Sequence, residues 1–200
     1  MVKLNTSLIM LLSLAIAMAT TAHASGQVIV MPSSECPKPV DEWFQNLDQA
    51  KEIRTKLQFY FQDVLGGDSP TVWKVAECKI TSTSATTFGQ ISMVDDLLTA
   101  GPEPDSEVVG RAQGTIGFAD LHQTAIQMGL NILFTGDNCY KGSTITILGR
   151  NPIFEKNREM PIVGGTGVFR MARGIAISNT HYFDVETNYG VLNYTLYITH

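Results

Sequence analysis

Short segments with strand-like character recur along most of this chain. In the first segment Leu57, Phe59 and Phe61 alternate with more polar neighbours, and Gly66-Gly67 follows. A period of two is typical of a strand with one buried face, because successive side chains point to opposite faces of a sheet. The same reasoning predicts strands over 57–63, 71–78, 88–95, 108–119, 127–135, 143–149, 171–183 and 190–198.

Turn-forming residues separate nearly all of these segments, as at Gly101-Pro102 and Asn151-Pro152. Glycine, proline, asparagine and aspartate interrupt regular structure at such positions. About eight strands at near-regular spacing predict an all-β fold, an antiparallel barrel or sandwich. A closed barrel of about eight strands leaves no exposed edge and has room for one small ligand.

The segment before the first strand has a different period. Its apolar residues recur at spacings of three and four, which favours a short amphipathic helix that begins near Asp41. The prolines at 32, 37 and 39 precede it, so an irregular arm is the alternative. The helical positions are Val40, Trp43, Phe44, Leu47 and Ala50.

The first 24 residues have the layout of a secretory signal peptide. Lys3 precedes an apolar run over 8–18, and Ala22-His23-Ala24 offers a small-x-small cleavage site. The run is shorter than the ~20 residues that a membrane-spanning helix needs. We therefore expect cleavage after Ala24 and a secreted, extracellular protein. Its parts would be a signal peptide over 1–24, an N-terminal arm over 25–56 and one barrel domain over 57–200.

The net charge argues against nucleic acid as a binding partner, and the cysteine content limits the possible disulfides and metal sites. Without Lys3, 13 basic side chains remain against 19 acidic ones, and no basic run suggests nucleic-acid binding. Cys36, Cys78 and Cys139 allow at most one internal disulfide in an oxidising compartment, and the spacings do not decide which two residues pair. The sequence contains no CxxC motif, so it does not predict a structural zinc site.

Familiar catalytic motifs are missing from the sequence. Gly165-Thr-Gly167 begins like a dinucleotide fingerprint, but Arg170 stands where the third glycine belongs. The histidines His122, His181 and His200 lack metal-ligand spacing. We therefore expect no cofactor and no metal.

Charged residues inside strand-like segments are the candidates for a pocket. Burial of a charge is unfavourable unless it is paired or hydrogen-bonded, and a carboxylate held in a pocket has a raised pKa. The alternative is that these residues are solvated strand ends or structural ion pairs. The candidates are Asp63, Asp95, Asp96, Arg170 and Arg173.

Several motifs together resemble the plant dirigent proteins, in family order from about residue 57 to the end. Such proteins are secreted to the cell wall as eight-stranded antiparallel barrels with an internal ligand pocket. They are usually trimers, with a dimer as the alternative. The motifs are Phe59-Tyr-Phe-Gln-Asp63, Met93-Val-Asp-Asp96, Val109-Gly-Arg-Ala-Gln-Gly114, Gly142-Ser-Thr, Leu148-Gly-Arg-Asn-Pro-Ile-Phe154, Arg158-Glu-Met-Pro161, Gly164–Ala176 and Leu196-Tyr-Ile-Thr-His200.

The resemblance implies roles for the candidate residues. Asp63 matches the aspartate at the end of the family's first core strand, Asp95 and Asp96 match its paired aspartates, and Arg170 and Arg173 match its glycine-arginine motif. It implies a pocket that orients phenolic radicals and transfers a proton, with the radicals supplied by a separate laccase or peroxidase. The implied function is stereoselective coupling of monolignol-type phenols, such as coniferyl alcohol, to lignans without redox chemistry of the protein's own.

Departures from the family pattern favour two alternatives. Ile116 and Ile175 stand where the family often has tyrosine, Gln62 where it has histidine, and Val168 where the lignan-forming branch has aspartate. The Gly-Arg-Asn-Pro stretch and Arg158-Glu-Met-Pro161 look more like the pterocarpan synthase branch, which implies an isoflavanol dehydratase acting through a quinone methide. The second alternative is a passive carrier of hydrophobic phenolics.

One glycosylation motif lies in the mature part of the chain. Asn193-Tyr-Thr195 has the acceptor pattern, and it falls in the last predicted strand. Modification there requires that Asn193 face outward. The family's frequent acceptor site is lost at Lys141-Gly-Ser143.

Overall fold

The computed structural model describes residues 36–200, which form a closed antiparallel β-barrel with a short helix near its start. The predicted all-β barrel is confirmed. The elements are α1 (Val40–Gln45), β1 (Arg54–Val64), β2 (Val72–Ala76), β3 (Ile91–Thr99), β4 (Val108–Phe118), β5 (Ala125–Phe134), β6 (Thr144–Pro152), β7 (Arg158–Gly165), β8 (Arg173–Asp184) and β9 (Tyr189–Thr199).

Eight of the nine strands make up the ring. Around it the order is β1, β9, β8, β7, β6, β5, β4 and β3, and the ring closes where Tyr60–Gln62 of β1 pair with Thr99–Leu97 of β3. The strand β2 pairs only with the first half of β3, beside the point where β1 leaves it. It is therefore an appended strand and not a member of the ring.

The sequence predicted the number eight but not the correct eight strands. It counted β2 and missed β7, which lies between β6 and β8. The sequence pattern does not predict this strand because it contains Pro161 and Gly164-Gly165, and proline and glycine are typical of turns. In the barrel Pro161 lies opposite Ile175 of β8, and β7 pairs with β6 over only a few residues.

Alternating residues of the ring strands fill the interior. In β1 and β9 the side chains of Leu57, Phe59, Phe61, Tyr194 and Leu196 point inward and are almost completely buried. The opposite face of β9 carries more exposed side chains, such as Tyr197, whereas on the outer face of β1 Tyr60 and Gln62 are buried as well. The inward positions are those that the period-two pattern predicts, although burial in β1 extends to both faces at residues 59–62.

The two ends of the barrel differ. At one end, the carboxylate end, lie the connections 65–71, 119–124, 153–157 and 185–188. At the other, the arm end, lie the connections 100–107, 135–143 and 166–172 together with the arm of residues 36–53. The carboxylate end takes its name from Asp63 and Asp96, described below.

The arm is tied to its end of the barrel. Cys36 and Cys139 form a disulfide, and Cys78 is free and exposed. The helix predicted from Val40 exists but is short, and no side chain caps it. Ile53 and His200 exchange two backbone hydrogen bonds where the arm joins β1.

The predicted signal peptide and its cleavage after Ala24 lie outside the described residues. Within residues 36–200, no helix combines the length and the apolar character that crossing a bilayer requires.

Candidate functional site

Asp63 and Asp96 come together inside the barrel where the ring closes. Gln62 of β1 lies opposite Leu97 of β3, so the antiparallel register brings Asp63 of one strand beside Asp96 of the other. Both follow the inward alternation of their strands, Asp63 after Phe61 and Asp96 between Val94 and Leu98. Two carboxyl groups from different strands therefore share one interior site.

Asp96 is the more deeply buried of the two. Its side chain is 3% exposed, and its Oδ1 accepts a hydrogen bond of 2.6 Å from the Thr71 hydroxyl. Burial, and then the negative charge of Asp63, raise the pKa of Asp96 to about 8. Asp96 is therefore a neutral acid at neutral pH.

Asp63 lies in a similar environment but has fewer partners. Its Oδ1 is buried and has no hydrogen-bond partner among residues 36–200. Burial raises the pKa of Asp63 to about 6. Because two neighbouring carboxyl groups resist simultaneous ionisation, the pair shares one proton near neutrality. One member can donate a proton while the other accepts one.

A second polar group lies on the part of the wall that β7, β8 and β9 form. Arg158 of β7 lies opposite Ser178 of β8, and Ser178 lies opposite Tyr194 of β9. The Arg158 Nη2 donates to the Ser178 hydroxyl at 2.9 Å, and Nη1 donates to Thr180 Oγ1 at 3.1 Å and to the Ile153 carbonyl. Arg158 is 3% exposed.

The described partners of Arg158 are neutral. Its hydrogen bonds go to two hydroxyls and one carbonyl, and its Nε is buried without a partner among the described residues. Burial lowers the pKa of Arg158, but a guanidinium stays charged in proteins. A buried cation without a carboxylate partner is a place for a negatively charged or polarised oxygen of a ligand.

Tyr194 interacts electrostatically with both polar groups, the carboxyl pair and Arg158. It is 1% exposed, and its ring stacks on Phe61 with centroids 4.0 Å apart. Burial raises the pKa of Tyr194 to about 12, and the charges of Arg158, Asp63 and Asp96 all act on it. Asn151 of β6 also has a buried oxygen without a partner among the described residues. Asp63, Asn151 and Arg158 thus each have a buried polar atom without a hydrogen-bond partner among the described residues.

The other three candidate residues lie elsewhere. Asp95 faces outward and pairs with Arg111, whose Nε donates to Asp95 Oδ1 at 2.5 Å. Arg170 and Arg173 are at the arm end, where Arg170 Nη1 donates to the Lys38 carbonyl at 2.7 Å and Arg173 forms an ion pair with Glu52. The structure therefore brings together Asp63 and Asp96 and separates them from the other three.

Sequence reasoning missed Arg158, Ser178 and Tyr194 as site residues. Arg158 was visible in the Arg158-Glu-Met-Pro161 motif, but without a predicted β7 nothing placed its side chain in the interior. Gln62, noted as a departure from the family, is on the outer face of β1 but is buried. Its Nε2 donates to Thr99 Oγ1 at 2.7 Å and its Oε1 accepts from the Tyr189 hydroxyl.

The chemistry available to this site is proton transfer and stabilisation of a negative oxygen. No three histidine, cysteine, aspartate or glutamate side chains of residues 36–200 converge as metal ligands. The site has a neutral acid, a carboxylate and a buried cation, all held on strands of a closed barrel. Groups fixed in this way are pre-organised for a transition state.

A family model, proteins of similar sequence and a solved structure all match this chain, and they belong to one family. The model of the dirigent-like protein family matches residues 54–199. The chain is 42% identical to dirigent protein 23 of Arabidopsis thaliana over 86% of this chain and 92% of that protein. It is 40% identical to pterocarpan synthase 1 of Glycine max over 75% of this chain and 81% of that protein. The solved structure of the pterocarpan synthase dirigent protein GePTS1 matches with a TM-score of 0.68 and 38% identity, over 76% of this chain and 87% of that one.

Proposed function

Because the chain belongs to the dirigent-like protein family, we propose that it binds a phenolic benzylic alcohol inside the barrel and directs its dehydration and ring closure. The observation that carries this proposal is the buried pair Asp63 and Asp96, which shares one proton near neutral pH. A reaction that loses water needs such an acid, because hydroxide is a poor leaving group until it is protonated.

The first step forms a quinone methide. The Asp96 carboxyl donates its proton to the benzylic hydroxyl, the carbon–oxygen bond breaks, and water leaves. The electron pair comes from the conjugated phenol, whose proton passes to the Asp63 carboxylate. Arg158 stabilises the negative charge that develops on the phenolic oxygen, in the way that a fixed cation stabilises an oxyanion.

The second step closes the ring. A second hydroxyl of the substrate attacks the methide carbon and gives its proton to the Asp96 carboxylate. The phenolic oxygen takes a proton back from Asp63. Both carboxyl groups return to their initial states, and no oxidant or reductant is consumed. The closed barrel holds one face of the methide toward the nucleophile, which sets the stereochemistry of the product.

A second candidate is stereoselective coupling of phenoxy radicals supplied by a laccase or peroxidase. Coupling also ends with addition of a hydroxyl to a quinone methide, so it needs a base for the hydroxyl and an acid for the carbonyl. The unequal pKa values of Asp63 and Asp96 meet both needs. We place dehydration, the alternative in the sequence analysis, first because it also requires the neutral acid to assist a leaving group.

Chiral chromatography distinguishes the two candidates. One incubation contains the purified protein and an isoflavanol without oxidase, and the other contains coniferyl alcohol with laccase, with and without the protein. A cyclised, dehydrated product of one enantiomer in the first incubation supports the dehydratase. An enantiomeric excess only in the second, requiring both proteins, supports coupling. Racemic or unchanged material in both would refute the proposal.

The proposal includes secretion to the cell wall and assembly into an oligomer, with a trimer expected. A disulfide between Cys36 and Cys139 fits an oxidising compartment, and the exposed side chains of Trp73 and Met93 offer a neighbouring apolar pair on the outer face. Mass spectrometry of the exported protein should show a chain that begins at Ser25. Sedimentation equilibrium should give a mass above that of one chain.

A further inference from the structure

Thr71 lies where β1 and β3 separate, at the carboxylate end of the barrel. The direct pairing of the two strands ends at Gln62 and Leu97. Beyond that pair the backbone of Thr71 bonds to both strands. Its N–H donates to the Val64 carbonyl at 2.8 Å, and its carbonyl accepts from the Asp95 N–H at 2.9 Å. Thr71 therefore bridges β1 and β3 beside the two buried carboxyl groups.

The hydroxyl of Thr71 also contacts both strands. The Val64 N–H donates to Thr71 Oγ1 at 3.0 Å, so the hydroxyl proton points in another direction. Two acceptors are near it, Asp96 Oδ1 at 2.6 Å and the Val64 carbonyl at 3.4 Å. An O–H···O hydrogen bond is about 2.5–3.0 Å long, and the Val64 carbonyl already accepts from the Thr71 N–H. The hydroxyl therefore donates to Asp96.

This hydrogen bond determines which oxygen of neutral Asp96 carries the proton. In a neutral carboxyl group one oxygen carries the proton and the other is the better acceptor. Because Oδ1 accepts from Thr71, the proton is on Oδ2. A proton on Oδ1 would have to point at the Thr71 oxygen and would turn the hydroxyl toward the Val64 carbonyl, at the longer distance of 3.4 Å. The observed distances favour the first arrangement.

Contacts outside the carboxyl pair hold Thr71 in place. Its backbone bonds to β1 and β3, and the carbonyl of the preceding residue, Pro70, accepts from Trp73 Nε1 at 2.9 Å. The hydroxyl is therefore already oriented before the proton leaves Asp96. Such fixed orientation is what a residue that supports a catalytic group must provide.

The other ionisable groups near Asp96 act on it through charge. Burial and the charge of Asp63 raise the pKa of Asp96, and the hydrogen bond from Thr71 lowers it because that bond favours the ionised form. Charge acts on the carboxyl group as a whole, whereas the hydrogen bond selects one oxygen. The ionisable groups are Asp63 of β1, Asp95 of β3, Arg111 of β4 and Tyr194 of β9.

We propose that Thr71 is a positioning residue: its hydroxyl keeps the proton of Asp96 on Oδ2, from which it passes to the benzylic hydroxyl of the substrate. The inference rests on the proposed function, in which Asp96 is the acid. When the proton leaves, the carboxylate still accepts from Thr71 at Oδ1, and a hydrogen bond to a charged acceptor is stronger than one to a neutral acceptor. Thr71 therefore stabilises the transition state more than the ground state.

Neutron diffraction of the unmodified protein locates this proton directly. The crystal is exchanged into deuterium oxide at a pH between the pKa values of Asp63 and Asp96, about 6 and about 8. One deuteron should lie on Thr71 Oγ1, directed at Oδ1 of Asp96, and another on Oδ2 of Asp96. A deuteron on Oδ1 directed at Thr71 would overturn the proposal. The measurement does not depend on turnover.

Two substitutions test the consequence for the reaction. Thr71→Val removes the hydroxyl and keeps the branched shape, whereas Thr71→Ser keeps the hydroxyl. With an isoflavanol and no oxidase, Thr71→Val should lower kcat about tenfold or more, as expected for loss of a hydrogen bond to a charged group, and leave KM within about twofold. Thr71→Ser should retain kcat within about threefold.

The pH dependence of kcat separates positioning from a structural effect. Loss of the hydroxyl removes a bond that favours ionised Asp96, so the pKa of Asp96 rises. The alkaline limb of the profile should therefore move to higher pH in Thr71→Val but not in Thr71→Ser. Unchanged kcat in a folded Thr71→Val variant, or an equal loss in both variants, would overturn the proposal. Absence of product from the unmodified protein would instead refute the proposed function, and the neutron map would still decide where the proton is.

Discussion

Replacement of Asp96 by asparagine should make the fold more stable at neutral pH. The Asp96 carboxyl is buried, and its pKa rises to about 8 chiefly because burial disfavours the charged form. An asparagine has nearly the same shape and keeps an Oδ1 that accepts the hydrogen bond from Thr71. The variant therefore removes an ionisable group from the interior without removing its contact.

The size of the effect follows from proton linkage. In the unfolded chain Asp96 ionises near its ordinary pKa of 3.8, whereas the folded chain keeps the proton up to about pH 8. The folded state thus binds more protons between these values, and the free energy of unfolding falls by about 1.4 kcal/mol per pH unit as pH rises. Between about pH 4 and pH 7 this loss is on the order of 4 kcal/mol for Asp96. Asparagine avoids it, so we expect a gain of about 2–4 kcal/mol at pH 7.

Urea denaturation of the unmodified protein, Asp96→Asn and Asp95→Asn from about pH 5 to pH 8 measures this effect. Asp95 is the adjacent, exposed residue, so its variant should follow the pH dependence of the unmodified protein within about 1 kcal/mol. Asp96→Asn should have a smaller slope, and the remaining slope comes from Asp63. The reasoning is refuted if the unmodified protein is equally stable throughout this range, or if both variants lose stability with pH equally.

Three further predictions concern the end of β7, the interior cation and the cysteines. Gly165→Ala should lower the free energy of unfolding by at least about 2 kcal/mol, because a Cβ there would lie 2.5 Å from the Phe169 carbonyl oxygen. Gly164→Ala is the control, since a Cβ at Gly164 would have nothing within 4 Å. Its free energy of unfolding should be nearly unchanged in the same denaturation assay. Arg158→Met should lower product formation in chiral chromatography at least about 100-fold, and a folded variant with normal turnover would contradict the role given to this cation. A thiol assay should count one reactive cysteine, Cys78, in the native protein and three after reduction and unfolding; three in the native protein would exclude the disulfide.

The sequence predicted the barrel because its strongest strands alternate clearly. Strands such as β1 carry apolar side chains at every second position, and this period depends only on local geometry. The strand β7 was missed since Pro161 and Gly164-Gly165 look like a turn. It is held by its neighbour β8, where Pro161 lies opposite Ile175, and such tertiary support is not visible in a local pattern.

Part of the candidate site could also be predicted. Asp63 and Asp96 attracted attention as charges within strands, and both are in the interior. Asp95 is in the same local sequence pattern as Asp96 but lies on the opposite face of β3. Only the register of the strand therefore decides which of the two carboxyl groups is in the interior. The row of Arg158, Ser178 and Tyr194 could not be predicted in this way. These residues come together only through the pairing of β7, β8 and β9, which the pattern of a single segment does not show.

The rate of product formation by Asp96→Asn and Asp95→Asn, beside the unmodified protein, tests the central claim most directly. Each protein is incubated at neutral pH with an isoflavanol without oxidase, and the cyclised product is resolved by chiral chromatography. The account predicts that Asp95→Asn matches the unmodified protein and that Asp96→Asn is slower by about 100-fold or more, as expected for loss of a general acid. Undiminished, enantiomerically pure product from a folded Asp96→Asn variant would contradict it.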